Sequence, residues 1–250
     1  MAILYVASEA AELKPLANLL TALRKLKWPV DYAYEGIWEG RRLLLAANGA
    51  GPKLAAQVVE IAIRAVMVAE LSSSKLEAVV STGWCGALDP DLRESQIVAA
   101  TQVLDLSTNE TFDCAPIMAD SQFASGIVAS QDRIANDAAE KERLRGSGAV
   151  AIDMEAAGVA ARARRAGLPF CCIKAVSDCA RESFPFDLNK FRTSEGRMAR
   201  GKIVVQALTH PNRLPVLFQL KRRTGDAATA LGEFLVSCRI SAGSDSAQAE

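Results

Sequence analysis

Four short, almost wholly apolar runs recur through the chain with longer helical patterns between them: AILYVA (residues 2–7), LEAVVSTG (76–83), AVAID (149–153) and LPFCCIKAVSD (168–178). A strand with one face in water alternates apolar and polar residues, whereas a strand apolar at nearly every position needs cover on both faces. When strands alternate with helices, the helices supply that cover. The chain is therefore expected to be α/β, a three-layer α/β/α domain with a mixed central sheet.

The remaining pattern fills in this frame. AILYVA leads into a helical segment over roughly 9–27, and the stretch 30–51 reads as a hairpin with EG and EGR as its turns. A long helix is expected over 52–71, with Pro52 suited to its first turn. Residues 94–106 and 125–130 read as strands, and NDAAEKERLRGSG as a polar helix or loop. AVAID runs into the helix of MEAAGVAARARRAG, and a helix over about 188–208 closes the unit. Residues 1–210 are thus read as one domain, 211–240 as a C-terminal helical extension after THPNRLP, and 241–250 as a flexible tail.

Composition narrows the chemistry. Lysine plus arginine equals aspartate plus glutamate at 29 each, so no basic excess invites nucleic acid. No basic leader precedes AILYVA, and no uncharged run reaches the ~18 residues of a membrane span, so a cytoplasmic protein is expected. The six cysteines show no metal-ligand spacing, and Cys171 and Cys172 read as buried thiols. A Ser-His-Asp triad, a Cys-His dyad or a histidine metal site would depend on the single His210, which lies in the Pro-flanked LTHPNR. No metal and no cofactor are expected, and any catalysis falls to carboxylates and backbone groups.

Four segments are candidates. ANGAGPKLAAQ (47–57) opens a helix with glycines and can present free N–H groups, although a plain tight turn reads as well. STGWCGALDP (81–90) places glycines after a buried strand, where backbone approaches ligands closely, or where the chain merely turns. In AIDMEAAGVAA (151–161), Asp153 and Glu155 stand at a helix start, where acids suit the macrodipole. An extended backbone there would instead send both to one face. In IKAVSDCARESFPF (173–186), Ser177-Asp178 ends a strand, the usual place for a catalytic carboxylate and equally for an N-cap.

In this order and spacing the segments, with SEAAEL near the N-terminus, resemble the purine nucleoside phosphorylase and uridine phosphorylase superfamily over roughly residues 1–208. The methylthioadenosine/S-adenosylhomocysteine nucleosidase type is the branch they resemble most, and Met-Glu and Ser-Asp after successive strands form the specific part. The resemblance implies N-ribosyl cleavage of a nucleoside. Met154 would pack on the sugar and Glu155 would take its hydroxyls. Asp178, oriented by Ser177, would protonate the purine at N7, and Glu12 would activate water. Gly83, Trp84, Cys85 and Gly86 would line the substrate, with Ile134 at the base and Ala50 and Phe186, beside Phe184, at the 5′ end. Asp178 would need its proton at neutral pH, with the apolar FCCIKAV strand desolvating it. Asp153 keeps a structural reading, and Ala156, Ala157 and Gly158 would let their helix pack tightly on the sheet.

The arginines with which phosphorylases of this superfamily hold phosphate have no counterpart in VASEAAEL or VVSTGWCGA, where Ser81 stands at the second position. Hydrolysis is therefore expected, with phosphorolysis through Arg133 or Arg181 as the alternative. A non-catalytic nucleoside-binding protein is a further alternative, which the presence of both Glu155 and Asp178 opposes. The small Ala50 leaves room for a 5′ substituent, so the hopanoid-associated branch, acting on adenosylhopane, also fits. Segment 216–240 would then shield a lipid tail or touch a membrane surface, or else simply pack on the core or a neighbouring subunit. The resemblance further implies a homo-oligomer, a dimer or larger, with a small-molecule nucleoside as substrate.

Overall fold

In a computed structural model, residues 1–67, 75–184, 187–193, 197 and 214–240 are described, without the side chains of 214–217. The central strand β1 (Ala2–Ala7) is buried throughout. Ala2, Leu4 and Val6 enter one core, while Ile3, Tyr5 and Ala7 enter the other. This is the consequence of a period-two strand with no polar position. Helices α2 (Pro52–Met67) and α4 (Ala156–Arg165) cover the first face through Ala55, Val58, Val59, Ala62, Val159 and Ala163. Helices α1 (Ala10–Leu19) and α5 (Leu214–Ser237) cover the second through Leu13, Leu16, Leu231, Phe234 and Leu235.

The strands β4 (Arg41–Ala47) and β5 (Leu76–Ser81) flank β1 in parallel. Beyond β4, the antiparallel β3 (Tyr32–Trp38) and β2 (Thr21–Lys25) form the edge. Beyond β5 follow β12 (Phe170–Asp178), β6 (Trp84–Ala87), β11 (Ala149–Asp153), β10 (Ala124–Ser130), β7 (Ile97–Asp105) and β8 (Glu110–Asp113). Because β7 also pairs with β12, the strands β12, β6, β11, β10 and β7 close into a ring. The short β9 (Ile117–Met118) pairs with β13 (Arg239–Ile240). The mixed α/β architecture is as expected from the sequence, while the ring is an addition to it.

Several expectations change. The helix over 9–27 stops at Leu19, because Leu20 turns extended and Thr21–Lys25 becomes an exposed edge strand. That strand is held by β3, with the Thr21 hydroxyl donating to the Ile37 carbonyl at 3.0 Å. STGWCGALDP is not all loop: Trp84–Ala87 is a strand between β12 and β11. The helix expected over 188–208 begins as a 3-10 turn, Leu188–Phe191, and Arg192 leaves it in extended conformation. Its remainder, the last residues of the helix over 52–71, His210, Pro211 and 241–250 lie outside the described residues.

The segment read as helical over 216–240 is the helix α5 up to Ser237, docked on α1, and then the short strand β13. Gly232 makes that docking close, since a β-carbon there would stand 2.8 Å from the Leu16 nitrogen. Among the described residues, no helix is long and apolar enough to cross a membrane.

Candidate active site

The loops that leave β1, β4, β5, β11 and β12 converge at the carboxyl ends of those strands, where α/β sheets bind ligands. They enclose a cavity of about 740 Å³. Of the residues singled out from the sequence, Glu12, Ala50, Trp84, Cys85, Gly86, Ile134, Met154, Glu155, Ser177 and Asp178 line it. Gly83 does not; it backs Glu12, and at φ +112° a β-carbon there would fall 2.3 Å from Oε1 of Glu12. Phe184 lines the cavity, and Phe186 lies outside the described residues. The helix α5 adds Leu220, Lys221 and Thr224 to the wall. It is tied there by the Trp84 indole N–H, which donates to the Thr224 carbonyl at 3.0 Å.

Glu12 sits at the third position of α1, so its carboxylate turns back over the helix start. Oε2 accepts from the Ser8 hydroxyl and the Glu9 N–H, both at 2.7 Å, and Oε1 from the Trp84 N–H at 2.8 Å. Burial raises its pKa above the ordinary carboxylate value, against the pull of these three donors. A carboxyl held this firmly, on the cavity wall and inclined to take a proton, is a suitable general base for a bound water.

Glu155 and Asp153 turn out to share a partner. The Lys174 ammonium, fully buried in the middle of β12, lies 2.7 Å from Asp153 Oδ2 and 4.0 Å from Glu155 Oε2, and donates to the Thr82 carbonyl at 3.0 Å. Asp153 also accepts from the Ala156 N–H at 2.9 Å, which caps α4. Asp153, read from the sequence as structural and without a partner, is paired with Lys174 and also lies on the cavity wall. Glu155 Oε1 accepts from the Gly51 N–H at 2.9 Å, the residue before α2. The other carboxylate oxygen, Oε2, is the one that faces Lys174.

Burial pushes the Glu155 pKa up to about 8, with Lys174 opposing and Asp153 and Glu12 adding to it. A carboxyl whose folded pKa exceeds its ordinary 4.5 stabilises the fold below that value and loses the contribution as pH rises toward 8. The melting temperature of the wild type is thus expected to fall between about pH 5 and pH 8, and that of Glu155→Gln to fall less. Differential scanning fluorimetry across that range checks this, and parallel curves for the two proteins would refute it.

Asp178 ends β12 with Oδ1 accepting from the Ser177 hydroxyl at 2.7 Å. The sequence suggested purely apolar surroundings that would keep this carboxyl protonated. Its immediate neighbour is instead an ammonium: Lys141 of α3 (Ala138–Arg145), only 1% exposed, pairs with Oδ2 and donates to the Cys179 carbonyl at 2.8 Å. Gly86 opposite keeps space for the carboxyl, since a β-carbon there would stand 3.0 Å from Oδ2.

Sequence reasoning missed both lysines. Lys174 left a signal, a single charge inside an apolar strand, where a buried lysine demands a partner. Lys141 left none, because its segment reads as a solvated face.

A match to the phosphorylase superfamily spans residues 2–121 and 118–209. The chain belongs to the phosphorylase superfamily. Enzymatic function and this family were both expected from the sequence. Solved structures similar to this superfamily member include a 5′-methylthioadenosine/S-adenosylhomocysteine nucleosidase from Neisseria meningitidis in complex with methylthio-immucillin-A. It is 18% identical, with 94% of this chain and 97% of that chain covered, at a TM-score of 0.68. A putative nucleosidase of the same kind from Borrelia burgdorferi, bound to adenine, is 14% identical over 94% and 98% of the two chains, at 0.69. A futalosine hydrolase mutant of Helicobacter pylori is 17% identical over 95% and 97%, at 0.66. These likenesses establish the fold.

Proposed function

We propose that this phosphorylase-superfamily member hydrolyses the N-glycosidic bond of a 5′-substituted purine nucleoside and releases the free base. The observation that carries the reading is the meeting of Glu12, Glu155 and Asp178, from the start of α1, the start of α4 and the end of β12, around one cavity. Cleavage of an N-glycosidic bond develops positive charge on the sugar and negative charge on the base. Glu155, anchored by Gly51, takes the ribose hydroxyls, and Met154 packs against the ring. Glu12 accepts a proton from the attacking water, while Asp178, oriented by Ser177, passes one to the base. The nucleosidases of like fold, crystallised with a nucleoside analogue and with adenine, favour a purine.

Water is preferred to phosphate because the cavity is lined by carboxylates. Among the described residues its basic ones are Lys221 and Arg133, and Arg133 is bound to Glu140 at 2.9 Å. Arg181 lines neither this cavity nor its neighbour. An anion beside Glu12 and Glu155 would lack the charge-assisted contacts that hold phosphate. Release of base and free ribose in phosphate-free buffer is the expected result. Base release that appears only with added phosphate would turn the assignment to phosphorolysis.

Beside Ala50 the nucleoside cavity adjoins a second one of about 830 Å³, lined by Lys53, Asp132, Asp187, Asn189 and Arg192. That lining favours a polar 5′ substituent. A second reading, the lipid substituent of adenosylhopane, draws on Phe184, Leu188 and Leu220 in the main cavity and on the exposed Phe218 of α5. In the same release assay, kcat/KM that rises along a series of 5′-alkyl adenosines supports the lipid, and flat or falling values reject it.

A further inference from the structure

We propose that Lys141 is the proton source behind Asp178, the two acting as one couple in which the ammonium supplies, through the carboxyl, the proton taken by the leaving base. This rests on the reading of Asp178 as the group facing the base. Lys141 Nζ donates to Oδ2 of Asp178, so an N–H of the lysine stands against the carboxyl that faces the base. The Ser177 hydroxyl holds the other carboxyl oxygen at 2.7 Å, and its own proton is engaged there or with the Cys85 carbonyl at 3.2 Å.

The surrounding structure is built to deliver that ammonium. On the otherwise polar α3, Glu140 and Lys141 are the buried residues. Asp137 caps the helix by accepting from the Glu140 N–H at 2.8 Å. The Glu140 carboxylate takes Arg133 at 2.9 Å and the Asn136 N–H at 3.1 Å, which pins the helix to the loop at the cavity mouth. Lys141 is then directed inward, with its Nζ 5.8 Å from the centre of the Phe184 ring, itself part of the cavity wall. Burying an ammonium costs several kcal/mol unless it is paired. An apolar residue would fill that space at less cost, so its presence beside the acid points to use.

The step balances. As the bond from C1′ to the base breaks, its electron pair goes to the base; Lys141 passes a proton to Asp178 and Asp178 passes one on to the base, leaving the carboxylate and a neutral amine. Water bonds to C1′ and gives its proton to Glu12, and that proton returns through solvent to the amine. The sum is nucleoside plus water giving free base and ribose.

The test is Lys141→Arg in the full chain, assayed on a purine nucleoside and on p-nitrophenyl riboside, whose leaving group departs without a proton. Arginine keeps the charge and the pair with Asp178 but does not surrender its proton. Turnover of the purine nucleoside is expected to fall by about 10²-fold or more, while that of the nitrophenyl riboside stays near wild type. Wild-type turnover of the purine nucleoside by the variant, or equal losses on both substrates, would overturn the inference. Should the arginine variant not fold, Lys141→Met is read by the same ratio. A wild-type enzyme that releases base from no purine nucleoside would instead defeat the underlying reading of the site.

Discussion

Asp178→Asn is expected to lower kcat for purine nucleoside hydrolysis by roughly 10²–10⁴-fold while leaving nucleoside binding largely intact. The shape of the site survives the change. The asparagine oxygen can stay on Lys141, and its amide can donate to Ser177, whose hydroxyl can turn its proton to the Cys85 carbonyl at 3.2 Å. What disappears is the group proposed to carry the proton to the base. The buried ammonium also loses its counter-charge, so a lower melting temperature accompanies the change. Single-turnover base release and calorimetric binding of a non-hydrolysable nucleoside measure the two effects separately. An asparagine variant with near-normal turnover would remove Asp178 from the mechanism.

The largest structural effect is expected from Gly158→Ala. A β-carbon at this position in α4 would stand 2.1 Å from the carbonyl oxygen of Pro52 and 2.7 Å from its carbonyl carbon, so the start of α2 has to move. Overpacking of this kind typically costs about 1–3 kcal/mol. Because α2 begins just after Gly51, the N–H that holds Glu155 moves as well, and KM is expected to rise with the loss of stability. Gly225→Ala is the control: nothing lies within 4 Å of a β-carbon there, and alanine is the better helix former by roughly 0.5–1 kcal/mol. Thermal melts of the two variants should move in opposite directions. A Gly158→Ala protein as stable as wild type would show that the two helices separate without cost. The glycine was expected to serve packing on the sheet, whereas its close neighbour is another helix.

Local pattern made most of the frame legible. A strand apolar on both faces announces its burial whatever lies beside it, so β1, β5, β11 and β12 could be read from AILYVA, LEAVVS, AVAID and FCCIKAVSD. The same holds for the amphipathic period of α2. Where an element owes its state to a partner, the pattern misleads. Thr21–Lys25 has no alternation of its own and is a strand because β3 pairs with it. Trp84–Ala87 looks like a glycine turn and is a strand because β12 and β11 flank it.

The site divides along the same line. Glu155, Ser177 and Asp178 could be singled out because each stands at a strand end or helix start, a place that local periodicity locates, whereas Glu12 and Met154 came only with the resemblance to the superfamily. The tertiary structure decided which charges they meet. Lys174 reaches back from β12 to Asp153 and Glu155 of the preceding strand and loop, and Lys141 crosses from a polar helix to Asp178, 37 residues later. Hydrophobic periodicity is set by neighbours along the chain, so the sequence alone determined the layers and the strand ends where chemistry would gather. Ion pairing is set by neighbours in space, and the pairs at this site came into view once the crossovers between strands had placed the two lysines.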